Sequence, residues 1–521
     1  MINLKKILAC FLFFVNVSIA QTTFQRIFGN DVHDFGNSVH QTIDGGYIIG
    51  GSTNIDSLTT NHCLLIKTDE DGALDWSKIL FYGVDGIIYS ISQTSDSGFI
   101  LTGMTRGING HFDWDILVVK TDQNGNVQWT KDIGDSTNQS GQSIIETSDH
   151  GYILCGSLFY NSTLYGAPVV KLDSVGNIIW SNYYGVNQVG NQIFETSNGD
   201  FVIGGTVDGS NLSLLKINQN GNLMFNKEYQ TYSLNNIVSF VPTNDNGFAI
   251  VGTSKDPLGN GSYYDFLLLK ADFGGNPLWA KCYGGSGDEM GFSINVLSSG
   301  GFVLAGRSQP YNSFDVDGCI IKTDSLGNML AAKGFGGFGY EELHSIKSTI
   351  DSGFILTGGT NSFGNNELHV YLVKTDSLFN SGCNDYDFLN FTQKNVTMSY
   401  TNNMQVIPAL FNAQVIPEIA VSGCTALTVC STNNIATSIE NEQTLIYPNP
   451  TTGKITFQFQ NDYSNGIIEI FNSIGEIVLV LNYSATNSMA IDLKSLPSGI
   501  YFANVLSDDG VSTNKIVLKR D

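Results

Sequence analysis

Two histidines with neighbouring carboxylates are the residues in this sequence best suited to acid–base chemistry or metal binding. An imidazole titrates near neutral pH, and a carboxylate beside it can orient the ring or share a metal ion. Polar residues on a wet loop explain the same pattern, and no serine elbow, H-E-x-x-H or C-x-x-C motif accompanies them. The two groups are predicted to lie in equivalent loops between successive copies of a sequence repeat. They are His33 with Asp31 and Asp34, and His344 with Glu341 and Glu342.

A calcium-loop pattern occurs once, with oxygen-bearing residues at the spacing 1-3-5-12 and a glycine at position 6. The bidentate Glu that normally ends such a loop is absent, and the last aspartate belongs to a turn that recurs along the chain. A structural turn is therefore the main interpretation, and a calcium site is the alternative. The residues are Ser313, Asp315, Asp317, Gly318 and Asp324.

Residues 334–339 read G-F-G-G-F-G and match the glycine pattern of dinucleotide-binding loops. That motif binds a pyrophosphate only where a strand precedes it and a helix follows it. No window near it has helical periodicity, so nucleotide binding is not expected.

The amino-acid composition indicates which class of fold positions these residues. Of 521 residues, 42% are apolar, 14% are charged and 57 are glycine, which is typical of a soluble all-β protein. The formal net charge of −23 disfavours binding to nucleic-acid phosphates, which requires clustered Lys and Arg.

Residues 1–20 are predicted to form a signal peptide. Lys5 and Lys6 precede a short apolar run, and Ser18-Ile19-Ala20 supplies small residues before cleavage at Gln21. A lipoprotein box at Cys10 is the alternative, although the apolar run continues beyond it. No other apolar run approaches the roughly 20 residues of a transmembrane helix.

A unit of 45 to 54 residues repeats seven times after the signal peptide. An aromatic residue is followed four positions later by Gly, and a lysine then stands two residues before Asp or Asn. Gly comes five residues after the lysine in six copies, and an aromatic comes nine after it in five copies. The lysines are Lys67, Lys120, Lys171, Lys216, Lys270, Lys322 and Lys374.

Each unit contains four strand-like runs separated by turn signals, which is the pattern of a β-propeller blade. The predicted fold class is all-β, a seven-bladed β-propeller followed by a small C-terminal β-sandwich. A stacked solenoid is the alternative. The expected divisions are a signal peptide at 1–20, the propeller at 21–383, a connector at 384–440 and a C-terminal domain at 441–521.

Ring closure is predicted from the two ends of the repeat region. The seventh unit lacks a fourth strand, whereas residues 24–29 repeat the fourth-strand pattern before the first blade. The N-terminal strand is therefore expected to pair near Val370 to Lys374 and to complete the seventh blade, which removes exposed sheet edges.

A ligand-binding face is expected where the longer interblade and second-to-third-strand loops meet, because variable loops on a rigid scaffold usually carry binding. A ring of polar residues (Ser38, Ser90, Ser143, Gln192, Ser239, Ser293 and Ser345) is expected to pack near the channel instead. The candidate ligand residues are Asp113, Trp114, Tyr263, Tyr264, Asp288, Glu289, Tyr311 and Asp315.

The cysteines divide into two groups. Cys63, Cys155, Cys282 and Cys319 occupy different repeat positions and are expected to be buried apolar residues. Cys383, Cys424 and Cys430 follow the repeats, and a disulfide is expected within this group, with the pairing left open.

Residues 24–380 resemble a known bacterial β-propeller repeat. The blocks D-F-L-L-L-K (265–270), G-N-P-L-W (275–279), Y-G-G-S-G-D-E-M-G (283–291) and G-F-V-L-A-G (301–306) carry the resemblance. Such repeats imply a fold and no single activity.

The C-terminal domain resembles the type A sorting domain of type IX secretion substrates. Its blocks are Y-P-N-P (447–450), I-I-E-I-F-N (467–472), L-P-S-G-I-Y (496–501) and K-I-V-L-K-R (515–520). The resemblance implies handling by the type IX machinery and export across the outer membrane, often with later cleavage; a generic accessory sandwich is the alternative. The implied motif residues are Pro448, Asn449, Pro450, Gly453, Gly475, Gly499, Tyr501, Lys515 and Lys519.

These observations favour a secreted or cell-surface binding or adhesion propeller that needs no cofactor, with an extracellular glycan or protein as ligand. A secreted polysaccharide hydrolase or lyase is the alternative, and it requires a carboxylate pair or a Tyr/His cluster at the channel mouth. A quinone-dependent dehydrogenase shares the Gly-x-x-x-Trp turns, but few cationic residues are predicted in the loops.

Overall fold

β-Strands make up the regular secondary structure of the described part of the chain. The computed structural model describes residues 21–521, and no α-helix occurs among the described residues. They form two units that divide after Asn433. The description omits residues 30–32, 55–59, 108–112, 136, 160–165, 231–238, 256–262, 310–314, 365–366, 389–390, 397, 403–405, 409–411, 416–418, 423–424, 432–444, 448–450, 459–465, 472–476, 484–487, 498, 508–509 and 520–521.

Each repeat folds into an antiparallel meander, and seven such sheets pack around one axis. This arrangement confirms the predicted seven-bladed propeller. The third strand of a blade has both faces covered by neighbouring blades, so it reads as a nearly continuous apolar run; residues 266–269, for example, are fully buried. The strands of the ring, four to a repeat after the initial β1, are β1 (Phe24–Gly29), β2 (Asp34–Gln41), β3 (Tyr47–Asn54), β4 (Asn61–Thr68), β5 (Leu74–Phe81), β6 (Asp85–Gln93), β7 (Phe99–Arg106), β8 (Trp114–Thr121), β9 (Val127–Gly134), β10 (Asn138–Glu146), β11 (Tyr152–Phe159), β12 (Ala167–Leu172), β13 (Ile178–Tyr184), β14 (Gln188–Glu195), β15 (Phe201–Val207), β16 (Asn211–Ile217), β17 (Leu223–Gln230), β18 (Ser239–Pro242), β19 (Phe248–Lys255), β20 (Tyr264–Ala271), β21 (Pro277–Gly284), β22 (Asp288–Val296), β23 (Phe302–Gln309), β24 (Asp317–Thr323), β25 (Met329–Phe335), β26 (Glu341–Ser348), β27 (Phe354–Thr360) and β28 (His369–Thr375).

The N-terminal strand closes the ring as predicted. β1 pairs antiparallel with β28, with Phe24 opposite Lys374 and Phe28 opposite Val370. Gln25 is fully buried, and its side chain joins the two ends of the repeat region because its Nε2 donates to Ser381 Oγ at 2.8 Å. The seventh blade therefore consists of β26, β27, β28 and β1.

Residues 385–431, within the segment expected to be a connector, encircle the propeller. They form seven short strands, each added antiparallel to the outer edge of one blade, so that every blade has five strands. We call this segment the belt. It visits blades 6, 5, 4, 3, 2, 1 and 7 in that order and covers the edges that would otherwise invite pairing with other chains. The belt strands are β29 (Asp385–Asp387), β30 (Thr392–Val396), β31 (Ser399–Asn402), β32 (Val406–Pro408), β33 (Asn412–Val415), β34 (Ile419–Ser422) and β35 (Thr425–Ser431).

A disulfide between Cys383 and Cys430 joins the start of the belt to its end. β35 pairs with β1, so both ends of the belt meet at the seventh blade. The belt is therefore a covalently closed loop around the ring. Cys424 lies outside the described residues. The four cysteines of the repeats are buried, as expected, and are not part of a disulfide.

The repeated aromatic of each fourth strand packs on a glycine of the next blade. A Cβ on Gly327 would lie 2.6 Å from the Trp279 ring, and Gly327 has a φ of +74°, so only glycine fits there without strain. β1 supplies the equivalent aromatic for the seventh blade. The pairs are Trp76 with Gly125, Trp129 with Gly176, Trp180 with Gly221, Phe225 with Gly275, Trp279 with Gly327, and Phe24 with Gly72.

The junction between blades 6 and 7 exchanges these two residue types. Ala331 pairs with Lys322 where other blades have the aromatic, and Phe379 stands where the other turns have Gly. Phe379 is fully buried, and the Lys322 ammonium lies 5.4 Å from its ring centre. The aromatic is thus supplied from the opposite side, which explains both departures from the repeat.

Replacing Trp279 by Ala is expected to lower the free energy of unfolding by about 3 kcal/mol, as for other large-to-small changes at a partly exposed aromatic. The double variant Trp279→Ala/Gly327→Phe recreates the arrangement of Ala331 and Phe379 and should recover part of this loss. Gly327→Phe alone should destabilise the propeller because its side chain meets the Trp279 ring. Urea unfolding of all three variants measures the coupling; additive losses would show that the two positions do not share one packing site.

The second unit contains two antiparallel sheets with a common core, in agreement with the predicted small β-sandwich. Ile455 and Phe457 come from the three-stranded sheet, and Ile468, Ile470 and Ile516 come from the four-stranded one. Its strands are β36 (Leu445–Tyr447), β37 (Lys454–Gln458), β38 (Gly466–Phe471), β39 (Ile477–Tyr483), β40 (Ser488–Asp492), β41 (Gly499–Ser507) and β42 (Gly510–Leu518).

Candidate functional site

The interblade loops and the second-to-third-strand loops lie on one side of the ring, which we call the loop face. Three of the predicted ligand carboxylates hold these loops in place. Asp288 accepts the backbone N–H of Tyr264 at 2.9 Å, and Asp315 accepts that of Gly339 at 2.7 Å. Glu289 is buried and accepts the backbone N–H of Gly285 at 3.0 Å. Their geometry serves to preorganise the loops.

Buried carboxyl groups lie beneath several interblade glycines. Burial raises the pKa of Asp115 to about 7, that of Glu289 to about 7 and that of Asp317 to about 6, and neighbouring carboxylates add to each shift. A Cβ on Gly336 would lie 2.5 Å from Asp317 Oδ1 and 2.3 Å from Glu341 Oε2, so the glycine leaves room for a carboxyl pair. This pair is covered by the loop.

These carboxyl groups make propeller stability depend on pH. Their folded-state pKa values exceed the unfolded values of about 4, so the folded chain binds more protons between about pH 4 and 7. The free energy of unfolding should therefore fall as pH rises through this window, by up to about 1.4 kcal/mol per pH unit for each group. Urea unfolding between pH 4.5 and 7.5 measures the slope. Asp115→Asn should flatten it, and an unchanged slope in that variant would contradict the assignment.

Phe338 is the most exposed large apolar residue of the described chain, with all of its side chain in solvent. It stands in the loop between blades 6 and 7. Gly337 donates its N–H to Glu341 at 3.1 Å, and Tyr340 donates its N–H to Asn361 at 2.7 Å. The aromatic side chain is therefore presented by a loop that is hydrogen-bonded on both sides of it.

A polar cluster lies beside this loop at the mouth of the central channel. The Glu342 carboxylate accepts the Tyr340 hydroxyl at 2.6 Å, lies 3.3 Å from Arg307 Nη1 and contacts His344 Nε2 at 3.0 Å. Burial alone would raise the pKa of Glu342, but the contacts with His344, Tyr340 and Arg307 outweigh it and lower this pKa, with His344 contributing most of the lowering. The rings of Phe35 and Phe292 flank His344, each with a centroid distance of 4.7 Å.

The sequence prediction for this cluster is wrong in one respect. Glu341, Glu342 and His344 lie in strand β26 and not in an interblade loop. The innermost strand of blade 7 begins at Glu341, directly after Tyr340, so that Glu341 and Glu342 already pair with β27. Sequence reasoning also missed Arg307, which reaches the cluster from β23 and lacks any motif of its own.

The other predicted ligand residues lie apart from this cluster. Trp114 is half-buried, with the Arg106 guanidinium 4.9 Å from its ring centre, and its backbone N–H donates to Asn138. Asp113 precedes it, and Tyr263 precedes Tyr264 at the start of β20; these three residues are half-buried. Tyr311 lies outside the described residues.

The residues of the calcium pattern are spread over strand β24. Asp317 begins the strand, and Asp324 follows its last residue, where its carboxylate accepts the N–H groups of Leu326 and Asn328. The turn interpretation fits Asp324. Ser313 and Asp31 lie outside the described residues, whereas His33 is exposed and lies 3.4 Å from Glu367.

The opposite side of the ring, which we call the turn face, is held by the repeated lysine. Lys270, for example, is buried, and its Nζ contacts Asp245 of the first turn at 2.9 Å and the Ala271 carbonyl at 3.2 Å. This closes two turns of one blade with a single ammonium group. Equivalent ion pairs to the first turn occur at Lys67, Lys120, Lys171, Lys216 and Lys374.

The ring of polar residues near the channel links neighbouring blades, as expected for packing. Six of the seven, all except Ser239, sit at a β-bulge and accept a backbone N–H from the next blade; Val39 donates to Ser345 Oγ at 3.3 Å, and Ile346 donates to Ser293 Oγ at 3.2 Å. The same contact occurs at Ser38, Ser90, Ser143 and Gln192.

Comparison with known proteins identifies the C-terminal unit. Residues 445–519 match the family described as the secretion system C-terminal sorting domain. The chain is thus a seven-bladed β-propeller carrying a type IX secretion sorting domain, and it is secreted to the cell surface or the extracellular space. Pro448, Asn449, Pro450 and Gly475 of the sorting motif lie outside the described residues. Gly453 precedes strand β37, Gly499 begins β41 and Tyr501 lies within β41, where its hydroxyl donates to the Pro497 carbonyl at 2.8 Å.

Two solved structures are similar to this chain at low sequence identity. Sqt1 from Chaetomium thermophilum is 10% identical, with 65% of this chain and 82% of that chain covered and a TM-score of 0.37. The tail fiber of Staphylococcus aureus phage P68 is 8% identical, with 95% and 96% covered and a TM-score of 0.20. No curated protein matches the chain. Among the described residues, no helix has the length and apolar character needed to cross a bilayer.

Proposed function

We propose that the propeller is a binding or adhesion module that the type IX machinery delivers to the cell exterior, and that it takes an extracellular glycan or protein on its loop face. The observation that carries this proposal is Phe338, a fully exposed aromatic on a loop that is fixed by hydrogen bonds. A large apolar side chain in water gains free energy when a partner covers it, and a rigid loop loses little entropy on binding.

Charged and aromatic neighbours of Phe338 support a ligand with both polar and apolar surface. Tyr340 and Arg307 lie beside the loop, and the Arg307 guanidinium is 5.5 Å from the Tyr340 ring centre. Trp114 with Arg106 offers a second pair of the same kind on the loop face. Tyr, Trp and Arg dominate the energy of protein interfaces because they combine large contact area with hydrogen bonding.

A glycan array and a panel of extracellular matrix proteins, probed with the full chain, test the proposal. Phe338→Ala should weaken binding by tenfold or more without changing the melting temperature, because the side chain has no folded contacts to lose. Leu326→Ala, on the turn face and also largely exposed, is the matched control and should bind normally. Equal binding by both variants would place the ligand elsewhere, and no binding to any array member would reject the proposal.

A polysaccharide hydrolase or lyase is the second candidate, favoured by the Tyr340, Glu342 and His344 cluster at the channel mouth. Its residues hydrogen-bond to one another, and burial, together with the Glu342 carboxylate, raises the pKa of the Tyr340 phenol. Catalysis would require a substrate to replace the hydrogen bonds within this cluster with hydrogen bonds to itself. Release of reducing ends or of unsaturated uronates, lost in His344→Gln, would support this candidate.

A further inference from the structure

The central channel contains an unpaired lysine and an unpaired histidine close together. Its cavity has a volume of about 370 Å³ and is lined by the inner strands of the blades. Lys347 of blade 7 and His40 of blade 1 project into it on the side nearer the turn face, where a second opening is lined by the same two residues. Among the described residues, neither side chain has a hydrogen-bond or ion-pair partner.

The charge of the channel contrasts with that of the whole protein. The chain carries a net charge of −23, yet none of the described residues that line the channel is an Asp or a Glu. Its titratable groups are Lys347, His40, His344 and Tyr89. An unpaired cation in a confined cavity favours an anion, since its own solvation there is incomplete.

The serine ring adds hydrogen-bond donors to this cavity. Ser345 and Ser38 line the channel beside Lys347 and His40, and each Oγ already accepts a backbone N–H from the next blade. A hydroxyl that accepts in this way still has its O–H to donate. Hydroxyl, imidazole and ammonium donors therefore converge on one region.

We propose that the channel binds a small molecule through an acid group, carboxylate, sulfate or phosphate, held by Lys347, His40 and the adjacent serine hydroxyls. The cavity has the size of a small-ligand pocket. Burial, together with the charge of Lys347, lowers the pKa of His40 to about 3, and burial also lowers the pKa of Lys347. A bound anion would relieve both effects. This site is distinct from the loop-face ligand proposed above.

Calorimetric titration of the full chain with sodium sulfate, sodium phosphate and D-glucuronate, with glucose as the neutral comparison, tests this site. At least one acid-bearing probe should bind with one-to-one stoichiometry and glucose should not. The probe that binds most tightly distinguishes an inorganic anion from a sugar acid. Absence of binding by all three acid-bearing probes would overturn the proposal.

Lys347→Met is expected to weaken binding at least tenfold and to melt at or above the normal temperature, because it removes an unpaired cation from the cavity. Lys255→Met removes the same charge from an exposed strand end and should bind normally. If Lys347→Met fails to fold, two other measurements test the site. One is the binding of the probes by His40→Gln, and the other is the shift of the His40 ring resonances when a probe is added to the unmodified chain. Undiminished binding by the channel variants, or an unmoved His40 resonance, refutes the site. Phe338→Ala should bind normally, which separates this site from the loop face.

Discussion

Removing residues 441–521 should leave the propeller folded but retain it in the periplasm, so that the secreted fraction falls from most of the protein to almost none. The sorting domain lies within the deleted segment, whereas the last belt strand ends at Ser431. The truncated chain therefore keeps all seven five-stranded blades. Immunoblots of periplasm, cell surface and medium from a host with type IX secretion measure the distribution.

The complementary experiment fuses residues 432–521 to a periplasmic reporter, which should then appear outside the cell. The melting temperature of the truncated chain controls for misfolding. Normal export of the truncated chain, or retention of the fused reporter, would contradict the sorting role.

Deleting residues 21–29 should destabilise the propeller more than any single substitution. β1 lies between β28 and β35, so its loss breaks two strand ladders and detaches the end of the belt from the seventh blade. Phe24, Ile27 and Phe28 are buried, and burial of each contributes about 1.5–3 kcal/mol. The sum approaches the whole stability of an ordinary domain, about 5–15 kcal/mol. Thermal unfolding and light scattering should show a lower transition and aggregation.

A synthetic peptide of residues 21–29 provides the rescue control. Added to the deleted chain, it should restore much of the melting temperature by β-strand addition, and the same peptide with both Phe24 and Phe28 replaced by Asp should not. A deleted chain as stable and as soluble as the full chain would show that β1 does not close the ring.

The blades and the closure of the ring could be predicted because similar side chains recur at equivalent strand positions in the seven repeats. The aromatic, the Gly and the buried lysine each have a fixed neighbour in the ring, such as Trp279 on Gly327. Residues 24–29 share that pattern, so their place beside β28 followed from the sequence. Even the exception at Ala331 and Phe379 obeys the same packing, although only the structure shows the exchange.

The belt could not be predicted in this form because its strands are short and carry no repeating pattern. β29 and β32 have three residues each, and Tyr400 of β31 is exposed. Adding a strand to a sheet edge requires mainly backbone hydrogen bonds, which any sequence without proline at the bonded positions can supply. An Asn-, Thr- and Ser-rich segment therefore resembles a linker in sequence even when it adds a strand to the edge of every blade.

The candidate site was only partly accessible to sequence reasoning. The loop face follows from strand order. Sequence reasoning assigned its carboxylates to the loops, whereas Asp288 and Glu289 begin strand β22 and Asp315 lies in the loop before β24. Asp288 and Asp315 accept backbone N–H groups 24 residues away, as between Asp288 and Tyr264, and no local pattern marks such a contact. The channel pair Lys347 and His40 was missed for a similar reason, since the two residues come from opposite ends of the repeat region.

The closed belt also determines how a pulling force travels through the chain. A load applied to the sorting domain during translocation arrives at the belt's C-terminal end, close to Cys430. The disulfide carries it directly to Cys383 and the closing strand of blade 7, where Gln25 binds Ser381. The intervening belt residues lie outside this path and bear no tension, so traction cannot unzip them strand by strand. The seven belt strands remain paired unless blade 7 itself unfolds.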